Sequence, residues 1–371
     1  MCVDAMPTPL DWEPMTMPIP TEPIGSIPRS AELLGAMQAL SRGEITEAKF
    51  RDVEDGEVRE TIKRFEETGS PVISDGEQRK SSFATYPLTG LTNLAPGGVT
   101  IPFEDGHTRQ LPKLSAGPFR FGAYAVSYLK SAQQYAHRPM KQAVISASAL
   151  SLLYPQEGIA GYTREQFVSD LVAEAQKDIR ECLAAGAATV QIDFTEGRLA
   201  LKLDPSGGLL ASFVELNNRV LSGFTAEEKR RIGVHTCPGG DKDSTHCADV
   251  DYLGLVPQLF KMDVGRFYVQ LSSEKDRPRV LKAMREMLKS GRILFVGVTD
   301  PINPKVESVD DVAARVIEAA SIIPVAQLGT TDDCGFSPFA DDTSTSRDTA
   351  FAKIANRVEG TKQASKELGV A

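Results

Sequence analysis

The sequence has few histidines, cysteines and tryptophans, and it has no long hydrophobic run. Of its 371 residues, 4 are histidine, 5 are cysteine and 1 is tryptophan. No apolar stretch approaches the roughly 20 residues that a membrane-spanning helix requires. The amino-terminal segment lacks the basic and apolar regions of a signal peptide. We therefore expect a cytoplasmic protein that does not span a membrane.

Basic residues are also fewer than acidic ones. The chain carries 41 lysines and arginines against 50 aspartates and glutamates, which gives a formal net charge of -9. A protein whose main partner is nucleic acid or an anionic membrane usually carries an excess of positive charge. We therefore expect small-molecule partners rather than nucleic acid or a membrane, and the sequence makes no prediction of the oligomeric state.

The cysteines are odd in number and irregularly spaced, which argues against a framework of disulfides. They are Cys2, Cys182, Cys237, Cys247 and Cys334. In a chain without an export signal, thiolate chemistry or metal binding is the better use for some of them. Cys182 falls inside a helical pattern, where a cysteine usually serves packing.

Short apolar runs alternate with helical patterns along most of the chain. Thr163–Ala185 and Val309–Ala320 each place apolar side chains on one helical stripe, and Ser308 with Asp311 forms a capping-box pattern. Eight runs have the composition of buried parallel strands: Pro23–Ser26, Pro71–Asp75, Gln142–Ala147, Ala188–Phe194, Arg231–His235, Arg266–Leu271, Ile293–Val298 and Val325–Gly329. The alternation predicts an α/β fold, a (β/α)8 TIM barrel. A doubly wound open sheet is the alternative, disfavoured because no strand ends in a glycine-rich phosphate fingerprint.

The domain organisation follows from the same patterns. We predict an N-terminal arm at residues 1–20 and a single barrel domain over residues 21–371. Within the barrel, residues 82–118 are rich in glycine, proline and threonine and show no helical period. This composition predicts an inserted loop or hairpin after the second strand, with a turn near Gly97–Gly98, that covers the mouth of the barrel.

Metal-ligand residue types collect after the fifth and eighth predicted strands, at the barrel end where such folds place their active sites. His235 and Cys237 are two positions apart, so strand alternation points both to one side, and Cys334 can approach them across the mouth. One imidazole and two thiolates suit Zn²⁺, with a fourth position left for substrate. The alternative is that both cysteines are small buried apolar residues. His246 and Cys247 lie among several aspartates and are better explained by a solvated turn.

Six segments of the chain, taken in order, carry motifs of a known family: PTEPIGSIPRS (20–30), VISDGEQRKSSF (72–83), QIDFTEG (191–197), GVHTC (233–237), FVGVTDPINPKVES (295–308) and TTDDCGFSP (330–338). They resemble the C-terminal catalytic barrel of cobalamin-independent methionine synthase, and in particular the short, single-barrel members of that superfamily. The resemblance implies a TIM barrel, a Zn²⁺ cofactor and methyltransferase activity. In that reaction a thiol such as homocysteine is S-methylated, as in methionine biosynthesis.

The resemblance also implies roles for single residues. Ser26 and Glu77 match residues that hold the amino-acid part of homocysteine, and Asp193 matches a carboxylate that contacts its amino group. Glu77 and Asp193 are thereby the predicted catalytic residues, and all three are predicted to bind substrate. The alternative for both acids is a structural ion pair at a strand end. The family's zinc ligands match His235, Cys237 and Cys334.

Three positions depart from the family's pattern. The family's fourth zinc ligand, a glutamate, aligns with Gln270, so the fourth ligand is Gln270, Glu274 or no protein group at all. The histidine that serves the family as an acid for the leaving group aligns near Ile302. The folate-stacking tryptophan is missing, and Tyr154 is the nearest aromatic residue.

These departures leave the alkyl donor open. A methyl-folate, a corrinoid methyl group and an epoxide each fit a zinc-bound thiol, and the residues available for a polyglutamate tail are Arg79, Lys80 and Arg198. A further alternative is an enzyme that resembles uroporphyrinogen decarboxylase. That related barrel needs no metal and binds its substrate with clustered arginines and aspartates.

Overall fold

The computed structural model describes residues 19–237, 243, 245 and 250–370. The predicted arm lies outside these residues except for Ile19 and Pro20, as do Cys2, His246 and Cys247. The helices are α1 Ala31–Ser41, α2 Glu47–Glu67, α3 Ala125–Gln133, α4 Ala147–Ser151, α5 Arg164–Ala184, α6 Glu196–Leu203, α7 Gly208–Leu221, α8 Ala226–Lys229, α9 Tyr252–Leu259, α10 Arg277–Met287, α11 Val309–Ala320 and α12 Arg347–Glu367. Within the described residues, no helix is both long enough and apolar enough to cross a membrane.

The strands form one parallel sheet and two small antiparallel pairs. The short strands are β1 Leu94–Ala95, β2 Thr100–Pro102, β3 Thr108–Gln110 and β4 Lys113–Leu114. The sheet strands are β5 Lys141–Ile145, β6 Thr189–Asp193, β7 Ile232–Thr236, β8 Arg266–Val269, β9 Ile293–Thr299 and β10 Leu328–Asp332. Their order in the sheet is the order in the chain, and every neighbouring pair is parallel. The predicted alternation of strand and helix is confirmed.

Two extended segments close this sheet into a barrel. Thr21 forms a parallel bridge with Thr330 of β10, and Ile73 forms one with Met140 just before β5. The two segments meet where the Ile27 N–H donates to a carbonyl in the second of them, at 3.0 Å. The first segment makes few ladder bonds because its prolines lack an N–H group. The TIM-barrel prediction is confirmed, with eight segments in the predicted order.

The eighth strand begins later than the sequence predicts. Val325–Gln327 is a 3₁₀ turn, closed by a hydrogen bond of 2.8 Å from the Gln327 N–H to the Pro324 carbonyl, and the strand runs from Leu328 to Asp332. Apolar composition alone cannot separate a tight turn from the start of a strand. The shift matters because it places Cys334 two residues after the end of the strand.

The predicted helix boundaries hold where capping chemistry is strong. Thr163 caps the start of α5 and Ser308 caps the start of α11, each with the reciprocal hydrogen bonds of a capping box. The stripe of α5 that was predicted from periodicity is buried: Phe167, Leu171, Ala175 and Ile179. These helices pack against the strands and hold the strand ends in place.

Residues 82–118 form nested hairpins, in which β2 pairs with β3 and β1 pairs with β4. The chain reverses at Asp105–Gly106, so the predicted turn near Gly97–Gly98 is wrong. Gly98 instead lies where a Cβ atom would collide with the backbone carbonyl of Leu111. The tip of the inner hairpin reaches across the barrel mouth, where the Glu104 N–H donates to the Thr245 carbonyl at 2.9 Å. Its assignment as an insertion stays a prediction.

Gly360 in α12 lies where α11 and α12 pack tightly, so a substitution at this position can measure that packing. A Cβ atom on Gly360 would lie 2.5 Å from Val312 and 2.8 Å from the Val309 carbonyl oxygen. We expect Gly360→Ala to lower the free energy of unfolding by about 1–3 kcal/mol through overpacking. Gly56→Ala is the matched control, because nothing lies within 4 Å of its added Cβ, and it is expected to gain up to about 1 kcal/mol from helix propensity. Urea denaturation of both variants measures this, and a stabilised Gly360→Ala protein would contradict the packing.

Candidate active site

The side chains of His235, Cys237 and Cys334 meet at the carboxyl end of the barrel. Their ligand atoms all lie within 4.8 Å of one another, and all three residues are buried. The two sulfurs are 3.1 Å apart, well beyond the roughly 2.05 Å of a disulfide bond. Residues separated by 97 positions along the chain are thus brought together by the closure of the sheet.

The residues of this group fit a zinc ion. Both ring nitrogens of His235 are buried and have no hydrogen-bond partner in the described part of the chain. An unpartnered buried imidazole is costly unless another group, such as a metal ion, binds it. Burial lowers the pKa of His235, but the Cys237 thiol and the Asp193 carboxylate outweigh it, and the net shift is upward. A nitrogen and two sulfurs are the donor set that Zn²⁺ prefers.

Ser26 lies beside this group because a glycine follows Cys334. A Cβ atom on Gly335 would collide with the Ser26 hydroxyl, so only glycine allows the two loops to approach. The Ser26 Oγ accepts a hydrogen bond of 3.2 Å from the Ser337 N–H. In the described residues its hydroxyl hydrogen has no protein acceptor, which leaves it available for a ligand.

Glu77 is held in a strained backbone conformation at the second strand end. Its φ is 58°, in the left-handed region that a residue with a Cβ rarely adopts. Its carboxylate pairs with the buried Lys80 ammonium at 2.9 Å. Burial alone would lower the pKa of Lys80, but the carboxylates of Glu77 and Asp75 outweigh it and raise the pKa. The Lys80 ammonium therefore remains charged inside the barrel.

Asp193 stands at the end of β6, directly opposite His235 in the register of β6 and β7. Its Oδ1 accepts a hydrogen bond of 2.7 Å from Gln191. Burial raises the pKa of Asp193 to about 7, and the Glu77 carboxylate adds to this while His235 and Lys80 oppose it. A carboxyl group with this pKa can gain or lose a proton near neutral pH.

The two residues considered as a fourth metal ligand, Glu274 and Gln270, each bind other side chains in the structure. Glu274 pairs with the Arg198 guanidinium at 2.7 Å and is not part of the metal-type group found among the described residues. The Gln270 amide donates to the Ser273 hydroxyl at 2.5 Å and to Glu274 at 3.3 Å. Among the described residues the group therefore offers three protein ligands, and all three line the cavity.

Asp333 has a positioning role that the sequence did not reveal. Its carboxylate accepts hydrogen bonds of 2.8 Å from the backbone N–H groups of Leu271, Ser272 and Ser273 and from the Ser273 hydroxyl. Gly297 makes room for it, because a Cβ there would collide with Oδ1. Asp333 thereby ties the loop after β8 to Cys334. The adjacent DDC motif was the available signal, but sequence cannot show which aspartate faces the loop.

A cavity of about 460 Å³ opens in front of the metal-type group, and the residues predicted for the site line it. Its walls are mainly apolar and come from the barrel and from residues 82–118, for example Phe83, Leu88, Ile101, Phe103 and Leu153. Arg109 fastens the hairpin over the mouth by pairing with Asp341 at 3.0 Å and Asp342 at 3.1 Å. The predicted covering of the mouth by this segment agrees with these contacts.

The basic residues considered for a polyglutamate tail are all engaged in ion pairs. Arg79 contacts Asp55, Lys80 contacts Glu77 and Arg198 contacts Glu274. The Tyr154 ring packs against Phe167 with its hydroxyl donating to the Tyr162 carbonyl, and it does not line the cavity. Ile302 likewise lies outside the cavity lining, in a turn where its N–H donates to Asp300.

These features define a class: TIM barrels whose site, at the carboxyl ends of the strands, joins two thiols and an imidazole under a covering hairpin. The family model described as "Cobalamin-independent synthase, Catalytic domain" matches residues 19–363. The chain belongs to this family, as the sequence resemblance predicts.

Relatives and solved structures agree with this assignment. The chain is 23% identical to a 5-methyltetrahydropteroyltriglutamate–homocysteine methyltransferase of Ralstonia pickettii over 85% of its own length, and it spans 39% of that protein. It is 23% identical to a methionine synthase of Pyrococcus abyssi, with 95% of each chain covered. The solved B12-independent methionine synthase of Shewanella sp. W3-18-1 shares the fold, with a TM-score of 0.74 and 17% identity over 95% of this chain and 99% of that one.

Proposed function

We propose that the chain is a zinc-dependent S-methyltransferase that alkylates a thiol, homocysteine or a close analogue, as in methionine biosynthesis. The observation that carries the proposal is the convergence of one imidazole and two thiols, with ligand atoms within 4.8 Å of one another, at the inner wall of a cavity. When bound, Zn²⁺ would hold the substrate sulfur as a thiolate, which is the nucleophilic form. A cytoplasmic location stays a prediction.

The polar groups around the cavity fit the amino-acid part of such a thiol. The Ser26 hydroxyl can donate to a substrate carboxylate. The carboxylates of Glu77 and Asp193, both lining the same cavity, can hold the substrate ammonium by charge-assisted hydrogen bonds. Holding both ends fixes the sulfur relative to the electrophile, which is how orientation contributes to rate.

The apolar walls favour a donor that is not a polyanion. The bases considered for a polyglutamate tail are committed to other carboxylates. This supports the alternative of a non-folate donor, such as a corrinoid methyl group or an epoxide. The lining also offers no cluster of arginines among the described residues, since Arg109 alone is present and is paired. It therefore gives no support to the decarboxylase alternative.

A zinc-edge X-ray absorption spectrum tests the proposal. We expect the purified protein to hold one zinc ion per chain, and we expect homocysteine to add a metal–sulfur scattering path because the sulfur enters the fourth position. Homoserine, with oxygen in place of sulfur, is the control and should leave the sulfur scattering unchanged. A protein that takes up no zinc, or a spectrum that homocysteine leaves unaltered, would refute the function.

A further inference from the structure

Three carboxylates line the cavity, and they differ in whether a positively charged or basic side chain lies beside them. Glu77 pairs with the Lys80 ammonium, and Asp193 stands beside His235. Glu196, the first residue of α6, is buried and forms no ion pair with any cation in the described part of the chain. It is the acid in the cavity that the proposed substrate contacts leave without a function.

One oxygen of Glu196 is saturated by hydroxyl donors. Oε1 accepts from the Ser146 hydroxyl at 2.6 Å and from the Ser148 hydroxyl. Each serine oxygen already accepts a hydrogen bond: Ser146 from the Ala149 N–H at 3.1 Å, and Ser148 from the Asn217 amide at 2.6 Å. Both hydroxyl hydrogens can point to Oε1, and the Ser148 hydroxyl also lies 3.4 Å from the Ser146 oxygen.

The second oxygen of Glu196, Oε2, is buried and has no hydrogen-bond partner among the described residues. A charged oxygen in that setting is costly, whereas a protonated one is neutral and keeps a hydrogen to donate. Burial raises the pKa of Glu196, and the hydrogen bonds from Ser146, Ser148 and nearby N–H groups lower it by less. The arrangement fits a carboxylic acid whose carbonyl oxygen is Oε1, fixed by the two serines, and whose O–H is on Oε2.

We propose that Glu196 is the general acid of the reaction, giving its Oε2 proton to the leaving atom of the alkyl donor. This inference rests on the proposed function. The substrate sulfur forms the new S–C bond with its lone pair, and the bond from carbon to the leaving atom breaks with its electron pair going to that atom. The leaving atom takes the proton from Glu196, and the proton that the thiol released on binding restores the acid through solvent.

The role of Glu196 restricts the donor to one chemical class. A leaving amine nitrogen or alkoxide oxygen is strongly basic and needs a proton as the bond breaks, whereas a leaving halide does not. The donor that the cavity serves therefore carries its alkyl group on such a basic nitrogen or oxygen.

Two chemical probes test this without the natural donor. Zinc-loaded protein with bound homocysteine is mixed in single-turnover reactions with styrene oxide, whose leaving alkoxide needs a proton, and with iodomethane, whose iodide does not. We expect Glu196→Gln to slow the epoxide reaction by about 10²–10⁴-fold, the usual contribution of a general acid, and to leave the iodomethane rate nearly unchanged. Equal effects on both probes, or no effect on the epoxide, would overturn the role of Glu196.

Infrared spectroscopy gives a readout that is independent of activity. Labelled with ¹³C-glutamate, the wild-type protein should show the carbonyl stretch of a protonated glutamic acid at neutral pH that Glu196→Gln lacks, and the absence of such a band would also overturn the inference. The proposed function fails separately: in that case iodomethane methylates homocysteine no faster with the zinc-loaded protein than without it. A protein that accelerates the iodomethane reaction but shows no protonated glutamate refutes the acid alone.

Discussion

Replacing either Cys237 or Cys334 by serine is expected to abolish thiol alkylation and to remove zinc. Each sulfur is one of three ligands in the group that meets at the barrel mouth. A serine hydroxyl is a far poorer ligand for Zn²⁺ than a thiolate. Loss of an outer partner already costs roughly 10–100-fold in metal affinity, so loss of a direct ligand should exceed that. Metal analysis after dialysis and a homocysteine alkylation assay measure both effects.

The control for the cysteine variants is the third described cysteine. Cys182 is buried in α5, away from the cavity lining. Cys182→Ala should retain zinc and activity even though it loses some packing. Circular dichroism checks that all three variants keep the barrel. Full zinc occupancy and wild-type rates in both serine variants would remove the basis of the metal assignment.

Asp332→Asn is expected to lower the free energy of unfolding by about 3–5 kcal/mol, because it breaks a buried ion pair from one side. Asp332 is 1% exposed and contacts the Arg357 guanidinium of α12, which is fully buried. Its other oxygen accepts from the Thr299 hydroxyl at 2.7 Å. Two nitrogens of Arg357 already lack partners in the described chain, so the variant leaves a buried charge without its carboxylate.

Urea unfolding in the presence of a chelator measures this without any contribution from metal. Glu318→Gln is the matched control, because its pair with Arg277 is partly exposed, at 30% and 32%, and such pairs contribute at most about 1 kcal/mol. The urea dependence of unfolding should keep its slope in both variants, so that the midpoint reports stability. A loss below about 1 kcal/mol for Asp332→Asn would show that the pair is not structurally important.

The sequence predicts the elements well where a local signal exists. The capping box at Ser308 and the buried stripe of α5 follow from residues close together in the chain. The start of the eighth strand was misplaced because apolar composition fits a tight turn as well as a strand. The hairpin turn was misplaced because a glycine pair fits more than one kind of turn. Asp105–Gly106 carried the stronger turn signal, and the structure reverses there.

The candidate site, too, was predicted from the sequence only in part. Parallel strands of a barrel bring their carboxyl ends to one face, so the positions of His235, Cys237 and Cys334 in the strand pattern are enough to predict that they meet. The engagement of Lys80 with Glu77, and the loop that Asp333 holds, depend on which side chains the closed barrel brings within hydrogen-bond reach. Nothing in the spacing of these residues shows that outcome.

By itself, the sequence determined the barrel and the residues gathered at the strand ends, because periodicity and the geometry of parallel strands act over short stretches of chain, and its motifs carried the resemblance to the family. Only the tertiary structure decided which charges are paired and which are left over. Arg29 donates to carbonyls of Glu77 and Ser337, 48 and 308 positions away, and Glu196 depends on serines about 50 positions before it. Whether a buried acid is ionised or keeps its proton is set by such distant neighbours.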